Sequence, residues 1–141
     1  PREKASFLEE NLTPIKESGQ LNLYDSVCNG YCEDLNFDIL FVDGHTEKMA
    51  LPKINYKGKS ILFASDLVPT AGHIPVPYLM GYDVRPLVTM EEKYLILKNA
   101  VSDNTFLFLQ HDPNKELVVL KQTEKGVRLD QSSSIMDTFG S

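Results

Sequence analysis

The chain has no apolar run approaching the ~18 residues of a membrane-crossing helix, and its start carries no leader pattern. A cytoplasmic globular protein is therefore expected. A basic excess is also missing, since 14 Lys and Arg face 20 Asp and Glu for a net charge of −6. Phosphate binding wants a basic face, the cations here are scattered, and no aromatic stacking signature appears, so nucleic acid is not an expected partner. Cysteine is scarce: Cys28 and Cys32, in Cys-Asn-Gly-Tyr-Cys, are the only two. The spacer could close a small disulfide loop, but a four-ligand metal finger has no second pair to draw on. Without a secretion signal, reduced thiols in a surface turn are the expected state. No Ser–His or Cys–His nucleophile motif and no internal repeat is present. Histidine is limited to His45, His73 and His111, and the first residue is Pro1 rather than Met.

What is present is an ordinary globular composition, 42% apolar and 24% charged, in a length that fits one domain with a genuine core. Three short apolar runs each end in a residue able to bind a metal. Phe37–Val42 leads into Asp43-Gly44-His45, Ser60–Ser65 into Asp66, and Thr105–Gln110 into His111. Runs of this length, rich in Phe, Ile, Leu and Val and bounded by turn chemistry, read as buried strands. Loops at strand ends are where rigid scaffolds present functional groups. Two imidazoles and a carboxylate delivered there suit zinc, iron or manganese.

Residues 2–18 read as a helix restarted at Thr13-Pro14 and stopped at Gly19, and residues 21–24 as a short strand. A loop or hairpin follows over 25–36. Strands are expected at Phe37–Val42, Met49–Tyr56 and Ser60–Ser65, with Pro52 hinting at an edge position or a bulge and Lys57-Gly58-Lys59 as the hairpin turn. Residues 67–86 hold four prolines among apolar and aromatic residues, which reads as a pocket-lining loop rather than disorder. Within it His73, Tyr78 and Tyr82 are candidate substrate-binding residues, Asp83 can line the same pocket, and Asp43 is a candidate for orienting a ligand imidazole. Thr89 with Glu92 matches a capping box opening a helix. Glu91, Glu92 and Lys93 then belong to its solvated start, and Tyr94–Val101 supplies its core stripe. Strands at Thr105–Gln110, Glu116–Gln122 and Gly126–Asp130 complete the pattern, and the Ser-rich segment 131–141 reads as a flexible tail.

Taken together, Asp43-Gly44-His45-Thr46, Phe63-Ala64-Ser65-Asp66-Leu67 and His111-Asp112-Pro113 resemble the second half of the metallo-β-lactamase superfamily signature. The opening Pro-Arg-Glu-Lys-Ala-Ser-Phe and the loop Leu-Val-Pro-Thr-Ala-Gly-His-Ile-Pro look nearest to the branch holding quorum-quenching lactonases and methyl parathion hydrolase. The resemblance covers about residues 1–130 and implies half of an αββα sandwich, a mostly antiparallel mixed sheet with helices on one face. It implies two divalent metal ions, zinc first and iron or manganese as alternatives. His45 would serve the first metal, His111 the second, and Asp66 would bridge both as the catalytic carboxylate. The family's His-x-His-x-Asp-His motif is absent. The resemblance therefore implies a C-terminal portion that carries about half the ligands of each metal.

The function so implied is that of a portion of a dinuclear hydrolase directing a metal-bridging hydroxide at a lactone, ester or related small molecule, inactive by itself. The alternative is a non-catalytic half-fold that serves as an oligomerising or structural module. Either way, an inner sheet face stripped of its sandwich partner would drive homo-oligomer formation or association with the missing N-terminal half.

Overall fold

A computed structural model describes residues 8–21, 23, 30–32 and 37–140. The beginning of the expected first helix, Asn22 and Tyr24 of the expected 21–24 strand, most of the 25–36 loop and the Cys28 thiol lie outside the described residues. What is described there is α1 (Glu9–Glu17), a backbone strand β1 (Gly30–Cys32), and Leu21 and Leu23 outside any strand.

One mixed sheet of seven strands organises the described residues, in the order β1-β2-β3-β4-β5-β6-β7. The remaining strands are β2 (Phe37–Val42), β3 (Met49–Tyr56), β4 (Lys59–Phe63), β5 (Phe106–Phe108), β6 (Leu117–Thr123) and β7 (Gly126–Ser133). Every neighbouring pair is antiparallel except β4 and β5. A parallel pair cannot be joined by a hairpin, so the chain between β4 and β5 must cross over. That crossover carries the proline-rich loop and the long helix α2 (Pro86–Ser102), and it brings the ends of β4 and β5 side by side.

Local chemistry explains the turns. Lys57 and Gly58 both have positive φ, 48° and 73°, the conformation of a two-residue hairpin whose twist matches the strands. Pro52 is interior to the sheet, not at an edge, but pairing of β3 with β4 ends at Lys53↔Leu62, so its missing N–H removes no ladder bond on that side. Helix α2 starts three residues before the expected Thr89, with Pro86 at its first position, where a missing N–H costs nothing. Thr89 is buried inside the first turns, so the expected capping box does not form.

Register divides the side chains between two faces. Leu51, Leu62, Leu107 and Val118 share one face, and α2 closes it with Leu97 and Ala100. Full burial of a Leu side chain is worth roughly 1.5–3 kcal/mol, so this face is the main core. The opposite face carries Phe41, Ile54, Ile61, Phe63, Phe106 and Phe108. Phe63 and Phe108 stack at 5.6 Å, and Ile54 is exposed. The segment expected to be a loose tail instead extends β7 to Ser133 and forms α3 (Ile135–Phe139). Ser134 accepts the Asp137 N–H at 3.0 Å as its N-cap, and Phe139 tilts against Tyr56 and Phe106. Among the described residues, no helix is long and apolar enough to cross a membrane.

Candidate metal centre

Three chain segments leave the same edge of the sheet. β2 ends at Val42 and turns through Asp43-Gly44-His45, and this turn is held from several sides. The Asp43 carboxylate accepts the Lys48 N–H at 3.0 Å, which holds its pKa below the ordinary carboxylate value. Glu92 of α2 reaches across and accepts the N–H groups of Asp43 and Gly44, at 2.7 and 3.0 Å. A Cβ on Gly44 would lie 2.4 Å from the Thr89 backbone nitrogen, so only glycine lets the turn lie on the helix. Arg85 N–H donates to the Gly44 carbonyl at 2.8 Å and Val84 N–H to the His45 carbonyl at 3.1 Å.

The second segment leaves β4. Ala64 N–H continues the parallel pairing by donating to Phe108 O, and a single 3-10 turn, Ser65–Leu67, projects Asp66 while burying Leu67. The third leaves β5 through Gln110 to His111, whose N–H donates to Pro69 O at 3.1 Å. Asp112 ties this end to the proline-rich loop by accepting the Ala71 N–H at 2.9 Å. That bond, with the N–H groups of Asn114 and Lys115, keeps its carboxyl below the ordinary range.

His45, Asp66 and His111 are thereby brought together. Asp66 Oδ2 lies 3.5 Å from His45 Nε2, and Asp66 Oδ1 lies 3.1 Å from His111 Nε2. One carboxylate faces two imidazoles, one oxygen for each. Behind His45, Nδ1 is 2.8 Å from Asp83 Oδ1, and the Asp83 side chain is 1% exposed. Asp83 thus takes the orienting position considered for Asp43, whose carboxylate is occupied by Lys48. Gln110 Nε2 donates to Asp66 Oδ1 at 3.1 Å and sits equally close to His111 Nε2.

Beside this cluster opens a cleft of about 290 Å³ lined by Pro69, Thr70, His73, Leu79, Met80, Gly81, Tyr82 and His111. His73 Nδ1 is 2.8 Å from Thr70 Oγ1, and desolvation, reinforced by the Lys93 charge, pulls its pKa below the ordinary imidazole value. Tyr82 meets the His45 ring edge-on at 6.4 Å. Tyr78 does not line the cleft, and its carbonyl accepts the Lys93 ammonium at 2.6 Å. Lys93, expected in a solvated helix start, is fully buried, and desolvation lowers its pKa to about 8 against the opposing pull of Asp83. Glu92 likewise is engaged with the His45 turn rather than with water alone.

Among the described residues, no group of three or more His, Cys, Asp or Glu side chains is arranged to hold a single metal ion. The donor chemistry nevertheless fits part of a shared site. A carboxylate on Nδ1 of His45, with Nε2 turned toward Asp66, is the arrangement typical of ligating histidines. One imidazole and one shared carboxylate would offer two protein donors to each of two cations.

No family model and no curated protein matches the chain. Solved structures do. A hydrolase named AbOPH, of the β-lactamase superfamily, superposes with a TM-score of 0.75 at 16% identity, over 89% of this chain and 43% of its own. The chain shares the fold of part of that structure. A probable metal-dependent hydrolase from Staphylococcus aureus matches with a TM-score of 0.68 at 19% identity, over 82% of this chain and 40% of its own. AidC, a dizinc quorum-quenching lactonase in complex with a homoserine product, gives 0.68 at 18% identity, over 84% of this chain and 40% of its own. The chain therefore spans about two fifths of the length of these neighbours.

Proposed function

We propose that this chain supplies the shared carboxylate and one imidazole for each metal of a dinuclear metal-dependent hydrolase acting on a lactone or ester. The observation that carries the reading is Asp66, with one oxygen toward His45 and the other toward His111. When bound, two divalent cations, zinc foremost, supply an activated water and polarise the carbonyl under attack. The chain's own residues do the rest. Asp66 would hold both cations and offset their charge, and Asp83 holds the His45 ring with its Nε2 forward. The cleft beside them receives the substrate, with His73 and Tyr82 on its wall, while Tyr78 shapes that wall through its main chain.

A catalytic zinc takes at least three protein ligands, so two donors per cation call for further ligands from the part of the sandwich that this chain does not span. The half-exposed Phe and Ile face of the sheet offers a surface for that part, or for a second copy. The same shortage of donors favours the second reading, a structural half-fold without catalysis. Turnover of a lactone and aryl-ester panel with added zinc or manganese separates the two. The expected result is no turnover by these 141 residues and turnover by a form that adds the remaining ligands, abolished there by Asp66→Ala. Robust turnover by this chain alone would mean that its catalytic ligands lie elsewhere.

A further inference from the structure

Lys93 is the least economical residue in the core. It lies on the buried stripe of α2 and is 0% exposed, where an aliphatic side chain would avoid the desolvation of an ammonium. Its Nζ donates to the Tyr78 carbonyl at 2.6 Å. Tyr78 begins the segment that ends at Asp83, and that segment is braced by Tyr78 N–H to Pro75 O at 2.9 Å and Asp83 N–H to Met80 O at 3.1 Å. Asp83 interacts electrostatically with Lys93. Its Oδ1 meets His45 Nδ1, and its buried Oδ2 has no hydrogen-bond partner among the described residues. The preceding residue, Glu92, accepts the Asp43 and Gly44 N–H groups of the turn that carries the same imidazole. Two consecutive side chains of one helix therefore fix both supports of His45.

We propose that Lys93 is a positioning residue, anchoring the Tyr78–Asp83 segment so that Asp83 holds His45 with Nδ1 protonated and Nε2 turned toward Asp66. Lys93 does not line the cleft, so its action passes through Asp83. Without the anchor, the segment is free to shift, Asp83 loses its aim, and the His45 ring can exchange tautomers and rotate. The consequence for metal binding rests on the reading of His45 as a ligand. The geometric claim does not.

The test compares the 141-residue chain with Lys93→Met and Lys93→Gln by NMR without metal, followed by titration with zinc. In the parent chain, a slowly exchanging downfield imidazole N–H resonance, assigned by its loss in His45→Gln, reports the Asp83 bond. Lys93→Met should retain or raise the melting temperature, since a buried charge has been removed, yet lose that resonance. Its zinc midpoint should rise by about 10-fold to 100-fold, the usual cost of losing a partner behind a ligating histidine. Lys93→Gln, which keeps a donor on a shorter stem, gives the same comparison should the Met variant fail to fold. A parent-like N–H resonance in a folded variant would overturn the proposal. Failure of the parent itself to shift its His45 signals with zinc would overturn the metal reading instead, and the N–H resonance would still decide the role of Lys93.

Discussion

The two imidazoles that face Asp66 are held very differently. His45 has a side chain 12% exposed, a buried carboxylate behind it, a Val84 N–H on its carbonyl, and a glycine-only turn pressed on α2 in which Glu92 accepts the Asp43 and Gly44 N–H groups and Arg85 donates to the Gly44 carbonyl. His111 is 57% exposed, with Gln110 beside its ring and a single backbone bond from its N–H to Pro69. A ligand pre-aimed by buried partners gives up little freedom when it binds, whereas an exposed one must be immobilised at that moment. The difference teaches that the first imidazole is fixed in place within this chain, while the second is presented open at its surface.

The largest expected effect comes from removing what the two arms share. Asp66→Ala should abolish zinc binding at both imidazoles and leave the fold intact, checked by calorimetric titration beside circular dichroism. Asp83→Ala should break the symmetry between the arms. It should weaken binding at His45 by about 10-fold to 100-fold and spare His111, as read from residue-resolved NMR shifts. Gly44→Ala forces Thr89 and the turn apart and should cost about 1–3 kcal/mol of stability by chemical denaturation, again displacing only His45.

Acid should loosen both arms together. Asp43 braces the first turn and Asp112 the second, and both have folded pKa values below the ordinary 3.8. Their stabilisation is complete above that value and is lost as pH falls through the lower folded values. Lys93 acts in the opposite range. Between pH about 8 and 10.5 the unfolded chain holds a proton that the folded one has released, so stability from this group rises with pH across that window. Lys93→Met should flatten that rise in melting temperature. The smallest effect belongs to the open arm, where Gln110→Ala should change stability by no more than about 0.5 kcal/mol.

The open arm and the strands were legible because their signals are local. Phe37–Val42 and Met49–Tyr56 are continuous apolar or alternating runs bounded by turns, and the structure keeps those bounds. The bracing of His45 was far less legible because it is long-range. Asp83 lies in a proline-rich loop that gives no sign of which imidazole it will meet. Glu91-Glu92-Lys93 looks like a solvated helix start until α2 docks. A clue was present, since Thr89, Lys93, Leu97 and Ala100 recur at helical spacing and form its buried stripe. Ser134 and Asp137 likewise match a helix-capping pattern hidden in a segment whose composition reads as loose. Docking of α2 buries Lys93, and the Ser134 cap with burial of Phe139 orders the Ser-rich segment, whereas composition alone points the other way.

The bridging role proposed for Asp66 is open to direct observation. Crystals of the protein soaked in millimolar zinc, with anomalous data at the zinc edge, measure this directly. Two peaks flanking Asp66 are expected, one about 2.0–2.2 Å from His45 Nε2 and one at the same distance from His111 Nε2, with the peak on His45 the better occupied. Zinc bound elsewhere, with His45, Asp66 and His111 left unliganded, would contradict it.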